Sequence, residues 1–150
     1  MHFEDFVVGQ SWTTGRRRLD GDEMIAFAEA WDWQRFHLDP AAAAATPFGG
    51  IVASGFQTLL VAFGLTLDLG LWDESGLGSP GMDSVRWLAP VRPGDTLDVE
   101  VEVIAARPSR SKPDRGVVTL AHDVRRDDGA TVMTFETMVM LARREPTAPE

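Results

Sequence analysis

Ser54-Gly55-Phe56-Gln57-Thr58-Leu59-Leu60-Val61-Ala62-Phe63-Gly64-Leu65-Thr66-Leu67 contains no charged residue. Phe56, Leu59, Leu60, Phe63 and Leu67 recur at three- and four-residue spacing, the period of one helix face. Val61, Ala62 and Leu65 leave little polar surface opposite them. A helix that is apolar nearly all round is buried on most sides, so something has to wrap this one. The apolar stretch 51–67 is too short, and too interrupted by Gly55, Gln57 and Gly64, to read as a membrane span.

The wrapping material lies downstream. Between Leu97 and Ile104, Val99, Val101 and Val103 alternate with Asp98, Glu100 and Glu102, the pattern of a half-buried strand. Val117–Val124 and Thr131–Leu141 read as two further strands, joined through Asp127-Asp128-Gly129, a strong hairpin signal. Ser84–Leu88 and Trp12–Arg17 add two more. The expected architecture is α+β, an antiparallel sheet curled around one long apolar helix.

Upstream, Asp20 is a good N-cap and Glu23 stands at the capping-box position. Met24, Phe27, Ala28 and Trp31 then mark one apolar helix face. Asp39-Pro40 starts a second, short helix running to Ala45, with proline at its first position. No repeat and no long linker divides the chain, so residues 1–142 read as one domain. Residues 143–150 lose the apolar pattern and read as a disordered C-terminal tail.

The 150 residues suit one domain, which at this size buries roughly 70% of the unfolded surface, and 44% of them are hydrophobic. The chain has no cysteine, which excludes disulfides, thiolate metal sites and cysteine nucleophiles. Its net charge of −9 argues against nucleic-acid binding, where phosphate neutralisation dominates affinity. The opening Met1-His2-Phe3-Glu4-Asp5 is acidic where a signal peptide is basic, so the expected address is cytoplasmic, without membrane attachment.

Three histidines are present. His2 is at the terminus, and His122 falls in an alternating strand and reads as packed structure. His37 lies in Trp31-Asp32-Trp33-Gln34-Arg35-Phe36-His37-Leu38-Asp39-Pro40, an irregular stretch between two helices, where loops tend to present reactive groups. A carboxylate five residues before an imidazole can share a water with it. Asp32 would orient that water and accept its proton, and His37 would pass a proton to the other end of the substrate. Asp32 also reads simply as the end of the first helix, and Asp39 as a cap. Phe48-Gly49-Gly50-Ile51-Val52-Ala53-Ser54-Gly55 then leads into the apolar helix. Free amides at a helix N-terminus suit a developing oxyanion, although Gly55 equally suits close packing. His37-x-Asp39 offers two ligands and no partner cluster, so no metal site is expected. The Gly-x-Ser-x-Gly elbow, the Walker loop and the dinucleotide glycine pattern are all absent.

Several stretches together resemble the MaoC-like dehydratase family, which includes the (R)-specific enoyl-CoA hydratases, over nearly the whole chain. They are Phe3-Glu4-Asp5-Phe6-x-x-Gly9, Asp32-x-Gln34-x-Phe36-His37-x-Asp39 and Phe48-Gly49-Gly50-x-x-Ala53-Ser54-Gly55. Arg86-Trp87-Leu88-x-Pro90-Val91-Arg92-Pro93-Gly94-Asp95 and Ser109-Arg110-Ser111-Lys112-Pro113-Asp114-Arg115-Gly116 continue the series. The resemblance implies a hotdog fold, a curved antiparallel sheet around a long helix, in a homodimer or higher homo-oligomer. It implies reversible hydration of trans-2-enoyl-CoA to (R)-3-hydroxyacyl-CoA, with coenzyme A entering as part of the substrate and no other cofactor. Asp32, His37 and Gly55 would be catalytic, and Arg35, Phe36 and Ser54 would contact substrate. Arg110, Lys112 and Arg115 would meet the nucleotide phosphates, or else form a solvated hairpin.

The chain departs from its subset at Trp33 and Arg35, where proline is usual, and at Phe56-Gln57, where Trp-His is common. Two other functions fit the same fold: an acyl-CoA thioesterase, and a non-catalytic acyl-CoA-binding or partner subunit.

Overall fold

Alternation in the second half of the chain becomes a six-stranded antiparallel sheet in the computed structural model, which describes residues 1–145. The strands are β1 (Ser11–Thr13), β2 (Arg17–Arg18), β3 (Gly81–Trp87), β4 (Thr96–Pro108), β5 (Arg115–Arg126) and β6 (Thr131–Ala142). They are ordered β1-β4-β5-β6-β3, with β2 continuing β1 along the edge of β4. Val99, Val101 and Val103 pair across the ladder with Val124, His122 and Leu120, and all six are buried. On the other face Arg125 bridges Asp98 at 3.2 Å and Glu100 at 2.8 Å, so two of the polar alternates of β4 are neutralised there. The β5–β6 hairpin turns at Asp127-Asp128-Gly129 as expected, with Gly129 at φ +83°. Backbone there is left-handed, which glycine adopts without steric cost.

The inner face of the sheet receives α4 (Gly55–Leu67), giving the α+β hotdog arrangement. Thr58, Val61, Ala62 and Leu65 are the buried face of the helix. The stripe expected to anchor it is mostly outside: Phe56 and Leu60 are each 58% exposed and Leu67 42%. One sheet covers one side of a helix, and the described residues supply one sheet. The expectation that the helix is wrapped on most sides therefore fails within a single chain.

Ahead of α4, Asp20 caps α1 (Gly21–Trp31) by accepting from Glu23 N at 2.8 Å. Glu23 does not close the capping box; its carboxylate pairs with Arg17. Met24 and Ala28 are buried, but Trp31 is 76% exposed and off the expected face. Asp39 caps α3 (Pro40–Ala44) through Ala41 N and Ala42 N, at 2.9 and 3.2 Å. Between them the stretch expected to be irregular holds a single turn, α2 (Arg35–Leu38).

Arg143 and Arg144, the first residues of the expected C-terminal tail, pair with the N-terminal segment. Arg143 Nε meets Glu4 at 3.1 Å and Arg144 Nη2 meets Asp5 at 2.6 Å. Residues 146–150 of that expected tail lie outside the described residues. No helix among the described residues is long and apolar enough to cross a membrane.

Candidate active site

Asp32 is where α1 stops. Its backbone closes the helix with N–H donating to Ala28 O at 3.0 Å, then leaves helical geometry at φ −150°. The helix-end reading of Asp32 is thus met by its backbone. The backbone terminates α1, and the side chain is released toward the start of α4. There Ser54 Oγ donates to Oδ2 at 2.7 Å, and Gln34 Nε2 donates to Oδ1 at 2.8 Å. Burial pushes the Asp32 carboxyl up, but the hydrogen bonds from Ser54 and Gln34 and the nearby His37 outweigh it. The group sits below its ordinary value and stays ionised.

His37 rides on α2, whose turn is closed by Asp39 N–H donating to Arg35 O at 2.8 Å. Its ring is buried. Nδ1 lies 2.7 Å from Val52 O, and Nε2 lies 3.3 Å from Asp32 Oδ2. A carbonyl oxygen only accepts, so Nδ1 carries the hydrogen, and in the neutral ring Nε2 is a bare acceptor. Phe36 stacks at a tilt on His37 with centroids 4.3 Å apart, and on Phe48 at 5.5 Å, which fixes the ring plane from the side.

Ser54 is fully buried as the N-cap of α4. Its oxygen accepts from Phe56 N at 3.3 Å while its hydroxyl points at Asp32. Sequence reasoning placed Ser54 against substrate; in the structure its hydroxyl meets the Asp32 carboxylate. Gly55 follows at the first turn of α4, and a Cβ there would collide with the indole of Trp87. The close-packing reading of this glycine is therefore met, and its amide still opens the helix beside the pair.

Asp32, His37, Gly55 and Phe36 line one cavity of about 400 Å³, walled by Phe56 and Trp87. Trp87 is the contributor that sequence reasoning missed. It lay in a quoted motif, but only tertiary pairing of β3 brings it over α4. The Val52 carbonyl was equally invisible, because every residue carries one.

The cationic residues expected to contact substrate are elsewhere. Arg35 points outward, its side chain 83% exposed and 3.8 Å from Asp39. Arg110 and Lys112 sit in the β4–β5 turn, where Arg115 pairs with Asp114 at 2.8 Å. β4 has 13 residues, about 40 Å of strand, and the cavity lies at its other end, near Val91. Within one chain these three cations are not brought to the site.

The family described as MaoC like domain matches residues 5–125. The uncharacterized protein YdeM of Bacillus subtilis is 29% identical over 143 residues, 95% of this chain and 100% of that protein. The (R)-specific enoyl-CoA hydratase of Aeromonas caviae is 33% identical over 145 residues, 94% of this chain and 99% of that one. Among solved structures, the MaoC-like dehydratase from Rhodospirillum rubrum superposes with a TM-score of 0.89 at 36% identity, covering 97% of this chain and 99% of its own. By sequence match and by architecture, the chain belongs to the MaoC-like domain family.

Proposed function

We propose that the protein is a hydro-lyase that reversibly adds water to a trans-2-enoyl-CoA, giving an (R)-3-hydroxyacyl-CoA. The observation that carries this is the 3.3 Å approach of His37 Nε2 to Asp32 Oδ2 at the wall of a cavity that also reaches the N-terminus of α4. Two acceptors side by side grip the two hydrogens of one water. The water oxygen bonds to the β-carbon while His37 Nε2 takes one of its protons. Asp32 holds the other hydrogen and stabilises the imidazolium. Electron density moves onto the thioester oxygen, where the Gly55 amide and the helix dipole stabilise it. Collapse of that enolate takes the proton from His37 to the α-carbon. Every atom of water ends in product and both side chains return to their starting state. Proton transfer alone suffices, so the reading includes no metal or organic cofactor. His37 acts in both directions, as base and then acid, rather than only as the donor expected from sequence.

The hydratase and dehydratase names carried by relatives, among them the 3-hydroxybutyryl-CoA dehydratase of Methylorubrum extorquens at 29% identity, support the substrate class. Assembly as a homo-oligomer belongs to the same proposal. Phe56, Leu60 and Leu67 of α4 are exposed, and so are Met82 and Trp87 on the edge strand β3 and Leu88 after it. A second copy would cover that apolar face.

The test is loss of enoyl absorbance when purified protein meets crotonyl-CoA. Asp32→Asn and His37→Ala should each reduce the rate by about 10³-fold. Wild-type rates in both variants would remove these residues from the chemistry. Release of free thiol from butyryl-CoA, without enoyl hydration, would replace the reading with thioester hydrolysis.

A further inference from the structure

In the hydratase reading the thioester is pinned between the Asp32–His37 pair and the Gly55 amide, so its acyl tail departs from the N-terminal end of α4. Two cavities follow one another along that helix. The site cavity reaches Gly55, Phe56 and Thr58 on α4 and Trp87 and Leu88 at the end of β3. A second cavity, of about 380 Å³, begins one turn further on at Leu59, Leu60 and Phe63 and reaches Met82 near the start of β3. Two rings wall the first cavity and not the second. Phe56 and Trp87 meet edge to face with centroids 5.9 Å apart, and the indole is wedged so tightly against Gly55 that no Cβ fits there.

We propose that the Phe56–Trp87 pair is a partition that ends the acyl pocket, restricting this protein to short acyl chains, with Trp87 as its specificity-determining residue. The second cavity is the space a longer chain would fill once the partition is gone. This rests on the reading above for which end of the substrate lies where. The cavity is hydrophobic beyond the partition, walled by leucine, phenylalanine, methionine and Val139. Each methylene admitted there would strengthen binding by about fourfold. An indole standing in the path removes that gain at a fixed chain length.

The experiment measures Kd by calorimetry for butyl, octyl and dodecyl thioethers of coenzyme A, which bind without reacting, and runs crotonyl-CoA hydration in parallel. Wild-type affinity should stop rising after the butyl compound. In Trp87→Ala the octyl compound should gain at least about tenfold over butyl relative to wild type. Phe56→Ala should gain less, and Trp87→Phe, which keeps a ring in place, should bind like wild type. Phe56→Ala carries the test if Trp87→Ala does not fold. Equal octyl-to-butyl ratios in wild type and both alanine variants, or a wild type that already binds dodecyl most tightly, overturn the partition. A chain-length limit in binding with no hydration of crotonyl-CoA overturns the reaction and supports the partition, so the two failures are told apart.

Discussion

At Asp32, burial and hydrogen bonding pull the carboxyl in opposite directions, and hydrogen bonding wins because Ser54 and Gln34 each commit a donor to it. Ser54 is the more consequential of the two. It is fully buried, and the same oxygen holds Phe56 N at the start of α4. Ser54→Ala removes a donor that lowers the Asp32 pKa, so the carboxyl protonates at higher pH. The acid limb of the kcat/KM profile should move upward in pH and the pH-independent rate should fall. Loss of the cap should cost about 1 kcal/mol in stability, read by denaturant titration. An unmoved acid limb would leave Ser54 as a cap alone. At this scale the pair itself was legible in sequence, since its spacing and neighbours are local facts. The partners that set its state were not. Val52 O lies 15 residues from His37 and Ser54 lies 22 from Asp32, and neither contact exists until the chain folds.

Strand β5 shows what an element imposes on the residue it carries. Its period of two delivers His122 to the inner face between Leu120 and Val124, stacked on Phe135 at 4.2 Å with the rings 9° apart. Both ring nitrogens are buried without a hydrogen-bond partner among the described residues. Burial pushes the pKa down from 6.5 to about 4, partly offset by backbone groups of Phe135 and Leu120 that lie near but outside bonding geometry. The folded state thus favours the neutral ring more than the unfolded state does. His122 leaves stability intact above its unfolded pKa and withdraws it as pH falls from 6.5 to about 4, by about 3 kcal/mol in all. His122→Leu should flatten the melting temperature against pH over that window; an unchanged slope would place the acid sensitivity elsewhere. The strands themselves were well marked by alternation, and the helix starts by Asp20 and Asp39. The single turn α2 was missed because four residues are too few to show a period.

For the whole molecule, the decisive fact is that Phe56, Leu60 and Leu67 on α4 stay exposed, uncovered by the one sheet that the described residues form. With a second copy laid against this face, Leu60→Glu should convert the oligomer to monomer in sedimentation velocity. A charge cannot be buried there unpaired. Wild-type sedimentation of this variant would move the interface off α4. The same scale governs the hairpin cations. Arg110, Lys112 and Arg115 lie a full strand length from the cavity of their own chain, so any contact with coenzyme A phosphates there would have to come from another copy.

Periodicity, caps and the hairpin turn determined the element types, the α+β class and the Asp32–His37 candidate, because each is a relation among residues near in sequence. Tertiary structure alone decided which side of α4 is buried and which carbonyl orients His37. It also turned the Ser54 hydroxyl toward Asp32 and set Trp87 against Gly55. Those are contacts between segments 15 to 32 residues apart or more. They are set by how a sheet and a helix pack in space, a competition that no local pattern records.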